Sequence, residues 1–350
     1  MASRVPQTDT IAQMLKDALQ QGVLDRVFSG AQACFSLNGC SPITVTAGQT
    51  AFENGTDILS TTRFDVASLT KLFTATVALA LVDDSTLTLD TRIWSDFPLE
   101  SLLAHESGLP AWRPLFDAVP MTKRNSPAAY EQIVQEVLDT SPTLPAPAQA
   151  VYSDLGYIGL GHHLQRITGK TLSTLVKEHI TEPLQMARTC FAPELPADKT
   201  NVACTENCPW RNRVLQGEVH DDNTWTMGGM AGHAGIFSTA EDMVRFGTAW
   251  LLALTSDGIV RRTTALRAVQ RRPGGRGLGF DLKSPGASSV GDAASETTFG
   301  HLGFTGTSLW IDPTKQAVIC LLTNRVHPTR DNFRIRQFRP EFHNLFFGSV

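Results

Sequence analysis

A serine and a lysine three residues apart stand at the start of the longest apolar segment of the chain. Residues 69–82 are rich in Ala and Leu and contain no Gly or Pro; Ser68 immediately precedes this run, and Lys71 lies near its start. Such a run predicts a helix that is covered on nearly all sides. Residues three apart in a helix share one face. The sequence therefore predicts a hydroxyl and an amine side by side at a helix N-terminus.

This pair has a direct chemical use. The unpaired N–H groups and the positive dipole end at a helix start stabilise negative charge that develops on a substrate oxygen. The same positive end and the apolar neighbours disfavour an ammonium, so we expect a lowered pKa for Lys71 and a neutral amine that accepts the Ser68 proton. The alternative is that Ser68 only caps the helix and Lys71 extends to solvent. A four-residue pattern alone does not decide between them.

Composition and charge narrow the class of protein. The 350 residues are 42% hydrophobic and 18% charged, with a formal net charge of −4 and a sequence pI of about 6.1. This is an ordinary globular composition, long enough for one large domain or for two lobes that share a cleft. Nucleic acid is not expected as a partner, because the chain is mildly acidic and shows no basic face.

The sequence shows neither an export signal nor a membrane span. Residues 1–9 contain no apolar core of a signal peptide, and the apolar run 69–82 is short for a span and is interrupted by threonines. We therefore expect no transmembrane segment and, by default, a cytoplasmic location. A periplasmic or secreted location is the alternative if a leader has been removed. The oligomeric state is left open.

Cysteine usage indicates reduced thiols and no structural metal. Six cysteines in a chain of 350 residues do not form a disulfide framework. Cys204 and Cys208, with His220 downstream, could be metal ligands, but their spacing matches no common zinc module. We expect neither a metal nor an organic cofactor.

Strand signals lie near both ends of the chain, with helices between them. Residues 31–37 and 43–47 flank Asn38-Gly39, a strong hairpin signal. Further strands are predicted toward the C-terminus, at residues 278–282, 297–299, 308–311 and 317–323. The expected fold class is α/β (α+β), with an antiparallel sheet built from N- and C-terminal segments, flanked by helices, and an inserted lobe that is mostly helical.

These signals suggest a division of one catalytic domain, residues 1–350, into two lobes. The α/β lobe is expected at about residues 1–95 and 240–350, and the helical lobe at about residues 96–239. Residues 183–223 show no regular signal. The glycine-rich stretch 228–237 lacks the features of a phosphate-binding loop and is interpreted as a tight turn near the active site.

Several motifs stand in the order found in one known superfamily. They are the serine–lysine pair, residues 102–110, Tyr152-Ser153-Asp154, residues 232–235 and residues 300–308. In this order they resemble the serine hydrolases of the β-lactamase and penicillin-binding protein superfamily. The resemblance is greatest to the branch of class C β-lactamases, D-alanyl-D-alanine carboxypeptidases and esterases of β-lactamase fold, and it covers roughly residues 64–330.

The resemblance implies a role for each motif residue. Ser68 would be the acylated nucleophile and Lys71 its activating base. Tyr152 would share protons with the lysine and pass one to the leaving group. His301 would lie on the strand that lines the cleft, and the backbone N–H groups of Phe304 and Ser68 would form the oxyanion hole. Substrate would also be bound by Asp154, Gly303 and Thr305.

Two residues depart from the best-known pattern of this superfamily. His301 replaces a usual lysine, and a partly charged imidazole would make recognition of a substrate carboxylate weaker and pH-dependent. Asp154 stands where Asn is common; an ionised carboxylate cannot donate to a substrate carbonyl, and it would raise the pKa of Lys71. Both changes favour an ester, small amide or peptide substrate over a β-lactam. A penicillin-binding or sensor module that is acylated without turnover is the alternative function.

Other polar residues have less specific interpretations. His105 and His233 are expected to be hydrogen-bonding residues of loops, and His220 to organise a loop beside the cleft. Arg325 and Arg330 are interpreted chiefly as solvated surface residues, with anion contacts in the cleft as the alternative.

Overall fold

The antiparallel sheet predicted from the chain ends is the central layer of the computed structural model, which describes residues 5–94, 97–143 and 150–350. The sheet has six strands in the order β2-β1-β11-β10-β9-β8. Its strands are β1 (Gly30–Leu37), β2 (Ile43–Gly48), β8 (Asp281–Leu282), β9 (Phe299–Leu302), β10 (Ser308–Asp312) and β11 (Ala317–Thr323). The remaining strands are β3 (Phe64–Asp65), β4 (Cys190–Phe191), β5 (Cys204–Cys208), β6 (Arg213–Gln216) and β7 (Ile236–Ser238).

Helices lie on both faces of this sheet and between its two halves in sequence. In the described residues they are α1 (Val5–Leu24), α2 (Thr70–Asp83), α3 (Leu99–Leu103), α4 (Pro127–Leu138), α5 (Asp154–Thr168), α6 (Leu172–Val176), α7 (Asp222–Thr226), α8 (Ala240–Ala253), α9 (Arg262–Ala268) and α10 (Ile335–Phe347). The predicted fold class is confirmed.

The two halves of the sequence meet in the centre of the sheet. Strand β1 pairs antiparallel with β11, and Cys34 stands opposite Cys320 in that register. The predicted hairpin is present between β1 and β2, where Asn38 has a φ of 52° and Gly39 a φ of 69°. These left-handed values explain why Asn-Gly is favoured at the turn. The N-terminal hairpin is thereby fixed to the C-terminal strands.

Side chains alternate between the two faces of the central strands, as the pleat requires. Cys34 and Cys320 belong to the core shared with α2 and α8. Phe35 and Ile319, one residue away on each strand, belong to the core shared with α1 and α10. Burial of a large apolar side chain contributes about 1.5–3 kcal/mol. Both faces of the sheet are therefore held by helices.

Helix α2 is buried along most of its length, as its composition predicts. Its buried residues include Leu72 and Phe73 and also Lys71, whose side chain has 0% exposure. The helix is preceded by one turn of 3₁₀-helix, Ala67–Leu69, so Ser68 stands just before the regular helix. This turn places the serine at the edge of the core, where it remains partly exposed.

The middle of the chain contains strands that the sequence did not predict. Strands β5 and β6 form a hairpin within the stretch expected to be irregular, and β3, β7 and β4 form a small three-stranded sheet. The β5–β6 hairpin shows no hydrophobic alternation in the sequence, because polar residues such as Thr205 and Glu206 occupy buried positions in β5. Of the two boundaries expected between the lobes, residues 95–96 lie outside the described residues, and residues 239–240 lie at the start of α8. The division into lobes stays a prediction.

Two C-terminal strands also begin later than expected. The run 278–282 is a strand only at Asp281–Leu282, because Gly279 adopts a φ of 86° and Leu278 donates to the Ala268 carbonyl. The strand expected at 297–299 occupies Phe299–Leu302 instead. The later start places His301 within β9.

Candidate active site

The backbone before Ser68 is held in an uncommon conformation by a buried carboxylate. Ala67 has a φ of 48°, which is left-handed and unfavourable for a residue with a side chain. Asp65 accepts hydrogen bonds from the N–H of Ala67 at 2.8 Å and from the N–H of His220 at 2.7 Å. Burial raises the pKa of Asp65, and these two donors oppose the rise. Asp65 thus fixes the turn that presents Ser68.

Lys71 lies against Ser68 and is surrounded by acceptors. Its Nζ donates to the Ser68 Oγ at 2.9 Å and forms an ion pair with the Asp154 Oδ1 at 2.7 Å. A longer bond of 3.4 Å reaches the backbone oxygen of His233. The proximity of hydroxyl and amine that the spacing predicted is present. Lys71 does not extend to solvent.

The expected lowering of the Lys71 pKa is wrong. Burial disfavours the ammonium and is the largest single influence, but the attraction of Asp154, then that of Tyr152, and hydrogen bonds to both together outweigh it. The pKa of Lys71 is therefore raised, and the amine carries a proton at neutral pH. The effect of Asp154 on the pKa of Lys71 was expected from the sequence; that Asp154 and Tyr152 together would outweigh burial was not.

Tyr152 lies beside this ion pair. Its hydroxyl is within hydrogen-bonding reach of the side chains of Lys71 and Ser68, and its pKa is raised, chiefly by burial. His105 supports the tyrosine from behind: the two rings are 4.6 Å apart, and the His105 Nδ1 accepts from the N–H of Ser153 at 2.9 Å. Burial lowers the pKa of His105 well below its usual value, so it stays neutral in this role.

His301 faces the tyrosine from strand β9. The ring centres of His301 and Tyr152 are 5.8 Å apart, and the His301 Nδ1–H donates to the Leu302 carbonyl at 2.7 Å. Burial lowers the pKa of His301. The expectation of a partly charged imidazole near neutrality is therefore wrong: His301 is neutral there, and its buried Nε2 is left as an acceptor with no partner in the described part of the chain.

The loop after β9 is tied to the segment just before Ser68. Thr305 donates to the carbonyl of Asp65 at 2.7 Å, and Thr307 donates to the carbonyl of Val66 at 3.0 Å. Gly303 is required here, because a Cβ would lie 1.9 Å from the Thr307 Oγ1. Phe304, half exposed, is held between these anchors. Its backbone is thereby fixed relative to Ser68.

Thr305 does not fit the substrate contact that the resemblance implied. Its side chain is 1% exposed, and its hydroxyl is engaged with Asp65. A buried donor that is already paired has no group to offer a substrate. Thr305 is therefore a positioning residue of the wall behind the cleft.

The other predicted site residues line one cavity of about 630 Å³. Its lining includes Ser68, Tyr152, Asp154, His301, Gly303 and Phe304. Lys71 lies beneath this surface and reaches it through the Ser68 hydroxyl. Such a volume is typical of a small-molecule site. The structure brings together the hydroxyl, amine, phenol and imidazole that the motifs singled out.

Arginines from the C-terminal part of the chain line the same cavity. We call Arg325, Arg336 and Arg339 the arginine wall. Arg325 is 4% exposed, so the interpretation as a solvated surface residue is wrong for it. Arg330 also lines the cavity but is paired with Glu206 and Asp222. The motif analysis missed Arg336 and Arg339, which lie beyond the region of resemblance.

One group of possible metal ligands lies at the edge of the cavity. Asp154, Asp221 and His233 have ligand atoms within 4.8 Å of one another, the one such group found in the described residues. The Lys71 ammonium already lies 2.7 Å from Asp154, and the His233 Nε2 lies 3.0 Å from Asp221. A cation here would meet a fixed positive charge, so the donor set does not favour a metal.

Comparison with known proteins identifies the family. The sequence profile of the beta-lactamase family matches residues 12–342 of the 350-residue chain. The chain belongs to the beta-lactamase family. This membership makes it a serine hydrolase, and it confirms the resemblance drawn from the motifs.

Relatives of this beta-lactamase family chain carry several activities in their names. The chain is 29% identical over 311 residues to the N-acetylmuramyl-L-alanine amidase of Bacillus subtilis, and the match covers 76% of this chain and 68% of the relative. A protein of Escherichia coli K12 with the provisional name D-alanyl-D-alanine carboxypeptidase is 29% identical over 324 residues, covering 80% and 73%. The shared family therefore spans more than one substrate class.

Solved structures show the same fold at lower identity. EstCE1, a hydrolase with promiscuous acyltransferase activity, superposes with a TM-score of 0.77 at 18% identity, covering 97% of this chain and 99% of that one. The D-amino acid amidase of Ochrobactrum anthropi gives a TM-score of 0.74 at 21% identity, covering 97% of this chain and 98% of that one.

Among the described residues, none of the helices is both long and apolar enough to cross a membrane.

Proposed function

We propose that this protein hydrolyses an ester, amide or peptide through an acyl-enzyme on Ser68. The observation that carries the proposal is the 2.9 Å contact between the Lys71 Nζ and the Ser68 Oγ at the floor of the cavity, beside the phenol of Tyr152. A nucleophile and a proton carrier within hydrogen-bonding distance are the minimum for covalent catalysis. Asp154 holds the amine charged in the resting state.

Acylation then begins with a proton transfer through Lys71. As the Ser68 Oγ attacks the substrate carbonyl, Lys71 accepts the serine proton and passes one of its own protons to Asp154, 2.7 Å away. A tetrahedral adduct forms, and its oxyanion is stabilised by the N–H groups of Ser68 and Phe304. The base of the reaction is therefore the Lys71–Asp154 pair and not a free amine.

Tyr152 completes acylation by protonating the leaving group. The bond between carbonyl carbon and leaving group breaks, the phenol gives its proton to the departing atom, and the proton stored on the Lys71–Asp154 pair returns to the phenol. Tyr152 is suited to this step because burial keeps it neutral and because it contacts both Lys71 and Ser68. A water molecule then attacks the acyl-enzyme by the same route and releases the acid.

The substrate class follows from the charges at the reacting end. Neutral His301 cannot supply the cation that a β-lactam carboxylate would meet at this position, and Asp154 cannot donate to its carbonyl. The amidase, carboxypeptidase and hydrolase names of the relatives agree with a small ester, amide or peptide. The mildly acidic chain supports the expectation that nucleic acid is not a partner.

Covalent labelling tests the nucleophile. A fluorophosphonate is expected to add once to the protein, on the tryptic peptide that contains Ser68, and Ser68→Ala should remove both labelling and hydrolysis of p-nitrophenyl esters. Ser256→Ala changes an exposed serine and serves as the matched control. Labelling that persists in Ser68→Ala would contradict the proposal.

A sensor that is acylated but not turned over is the second candidate. One observation favours it: the raised pKa of Lys71 leaves no free amine to activate water for deacylation. An intact-mass time course with a p-nitrophenyl ester, the substrate class that the hydrolase is expected to turn over, separates the two functions. An adduct that persists for hours supports the sensor, and loss within minutes supports the hydrolase. A panel of p-nitrophenyl esters, nitrocefin and D-Ala-D-Ala peptides then narrows the substrate.

A further inference from the structure

We propose that the arginine wall is an anion subsite that selects substrates with a carboxylate on the acyl side of the scissile bond. The inference rests on the proposed function and adds a substrate class to it. It depends on unneutralised charge in the wall and on its place relative to the oxyanion hole.

In the described residues, the two buried arginines of the wall, Arg325 and Arg339, form no direct ion pair, although Glu206 and Asp331 attract Arg325 from farther away. Arg325 donates to the backbone carbonyls of Phe304, Arg330 and Asn332. Arg339, 7% exposed, donates to those of Gly303 and Thr307, and its Nε has no partner within the described part of the chain. A buried charge without a counter-ion is costly. An anion in the cavity would remove that cost.

The arginines of the wall also act on one another. The pKa of Arg325 is lowered to about 10, first by burial and then by the charge of Arg336, while that of Arg339 is lowered to about 10 by burial and by the charge of Arg325. Phe333 lies between two of them, 5.7 Å from Arg325 and 4.6 Å from Arg336. The positive charges are therefore close together, as a binding site for an anion requires.

The other cations of the cavity are neutralised. Arg276 is paired with Asp281, and Lys71 with Asp154. Arg330 is paired with Glu206 and Asp222. His301 is neutral. Among the described residues that line the cavity, the free positive charge is thus that of the wall.

The wall stands at the end of the cleft away from the leaving group. Tyr152, which protonates the leaving group, lies against His301, whereas Arg325 covers Phe304 with 4.4 Å from its guanidinium carbon to the ring centre. Phe304 does not lie on the strand that carries His301 but beyond its end at Leu302, in the turn that begins at Gly303. The part of the substrate that faces Arg325 is therefore the acyl group.

A carboxylate is the anion that this arrangement fits. Guanidinium N–H groups bind carboxylates through charge-assisted hydrogen bonds. The Nε and Nη1 of Arg325 already donate to backbone carbonyls, so in the described part of the chain its Nη2 and the guanidinium of Arg336 are donors left for a ligand. Arg325 donates through its Nε to the carbonyl of Phe304, the residue whose N–H is assigned to the oxyanion hole. Ser68 and the wall line the same cavity, so an acyl group bound at Ser68 can extend toward the wall.

Two p-nitrophenyl esters that differ only in charge test the proposal. The anionic probe is p-nitrophenyl hydrogen glutarate, and the neutral probe is its methyl ester. We expect the wild-type protein to prefer the anionic probe in kcat/KM and this preference to weaken with added NaCl. Equal values for both probes in the wild type would overturn the proposal.

Substitution of the wall should reduce this preference. Arg336 is exposed and contacts Phe333, so Arg336→Gln leaves the core intact; we expect the preference to fall about fivefold, chiefly through KM, as for one partly solvated ion contact. Arg325→Gln should reduce it about tenfold, because that guanidinium is buried. Arg334→Gln, an exposed arginine outside the cavity, is the matched control and should keep the preference. A preference unchanged in Arg336→Gln and Arg325→Gln contradicts the inference.

Two further measurements make each outcome decisive. A preference for carboxylate on the leaving group, measured with 4-acetoxybenzoate against its methyl ester, and absent on the acyl side overturns the acyl placement. Binding of both glutarate probes to Ser68→Ala, by calorimetry, tests the wall without turnover: tighter binding of the anionic probe, lost in Ser68→Ala/Arg336→Gln, supports it. The proposed function fails separately, if Ser68 is not acylated.

Discussion

The two ends of the cleft differ in whether their buried cations are paired with a carboxylate. At the reacting end, the ammonium of Lys71 is 2.7 Å from the carboxylate of Asp154. At the other end, Arg325 and Arg339 are nearly as buried, but they donate to backbone carbonyls and form no direct ion pair with a carboxylate in the described residues. The charge at the reacting end is thus neutralised by an ion pair before substrate binds, whereas the charge of the arginines is not.

This difference suits one end of the cleft to proton transfer and the other to substrate binding. A paired charge can exchange protons with its partner while the total charge of the site stays constant, which suits a relay. An unpaired charge gains most when an oppositely charged group arrives, which suits binding. The loop 303–307 joins the two ends, and its threonines anchor it to the backbone before Ser68.

Removal of the amine should have the largest effect. Lys71→Met leaves Asp154 ionised without a partner and removes the proton carrier, so we expect kcat/KM for p-nitrophenyl esters to fall by roughly 10³–10⁴. Lys170→Met breaks an exposed lysine–glutamate pair with Glu178 and should leave kcat/KM unchanged. A loss of less than tenfold in Lys71→Met would show that the pair is structural only. Circular dichroism of both variants excludes unfolding as the cause.

Loss of the phenolic hydroxyl should have a smaller effect. Tyr152→Phe keeps the ring against His301 and His105 but removes the proton donor, and we expect kcat to fall by roughly 10². The loss should shrink with a better leaving group, which needs no proton. Tyr130→Phe, which removes a hydroxyl bonded to Gln165, is the control. An equal loss for good and poor leaving groups argues against proton donation to the leaving group.

The sequence contains enough information for the parts of the site that are local or carried by motifs. The spacing of Ser68 and Lys71 predicts their contact, because both lie on one turn of chain. The alternation and turn chemistry of residues 31–47 predict the hairpin. The order of the motifs indicates that Tyr152 and His301 join them. In the structure Ser68, Tyr152 and His301 line one cavity, and Lys71 contacts Ser68 from beneath it.

Features that depend on contacts between distant segments, or on opposing influences on a pKa, were not predictable in this way. The raised pKa of Lys71 results from burial opposed by Asp154 and Tyr152, and a sequence gives no magnitude for either influence. Arg339 reaches the cavity because α10 packs beside the loop 303–307, a contact that no motif records. The β5–β6 hairpin was missed because polar Thr205 and Glu206 are buried in β5 while the apolar Val214 of β6 is exposed.

The charge of Asp154 can be tested through the pH dependence of the reaction. Asp154→Asn removes the largest influence that raises the pKa of Lys71, so burial should lower that pKa. In the wild type the pair accepts the serine proton while Lys71 is charged, whereas in Asp154→Asn only a deprotonated Lys71 can act as the base. The acidic limb of kcat/KM is therefore expected to move to higher pH in the variant, by more than about one unit. The rate at the plateau should change by less than in Lys71→Met.

Asp139→Asn changes an exposed carboxylate and should not move the acidic limb. An acidic limb that stays in place or moves to lower pH in Asp154→Asn would contradict the assignment of the Lys71–Asp154 pair as the base. It would also remove the contrast between a paired and an unpaired end of the cleft.

The smallest effect is expected where the two ends are joined. Thr305→Val removes the hydrogen bond to the Asp65 carbonyl; we expect the free energy of unfolding to fall by about 1 kcal/mol and kcat to fall roughly fivefold at little change in KM. Thr305→Ser keeps the hydroxyl and should restore kcat, and Thr255→Val, at an exposed site, is the control. If Thr305→Val lowers the melting temperature but not kcat, Thr305 supports the fold without positioning Phe304. A reduced kcat that serine restores would mean that the N–H of Phe304 must be held to within a fraction of an ångström of Ser68, and that the loop connecting the relay to the arginine wall serves both ends.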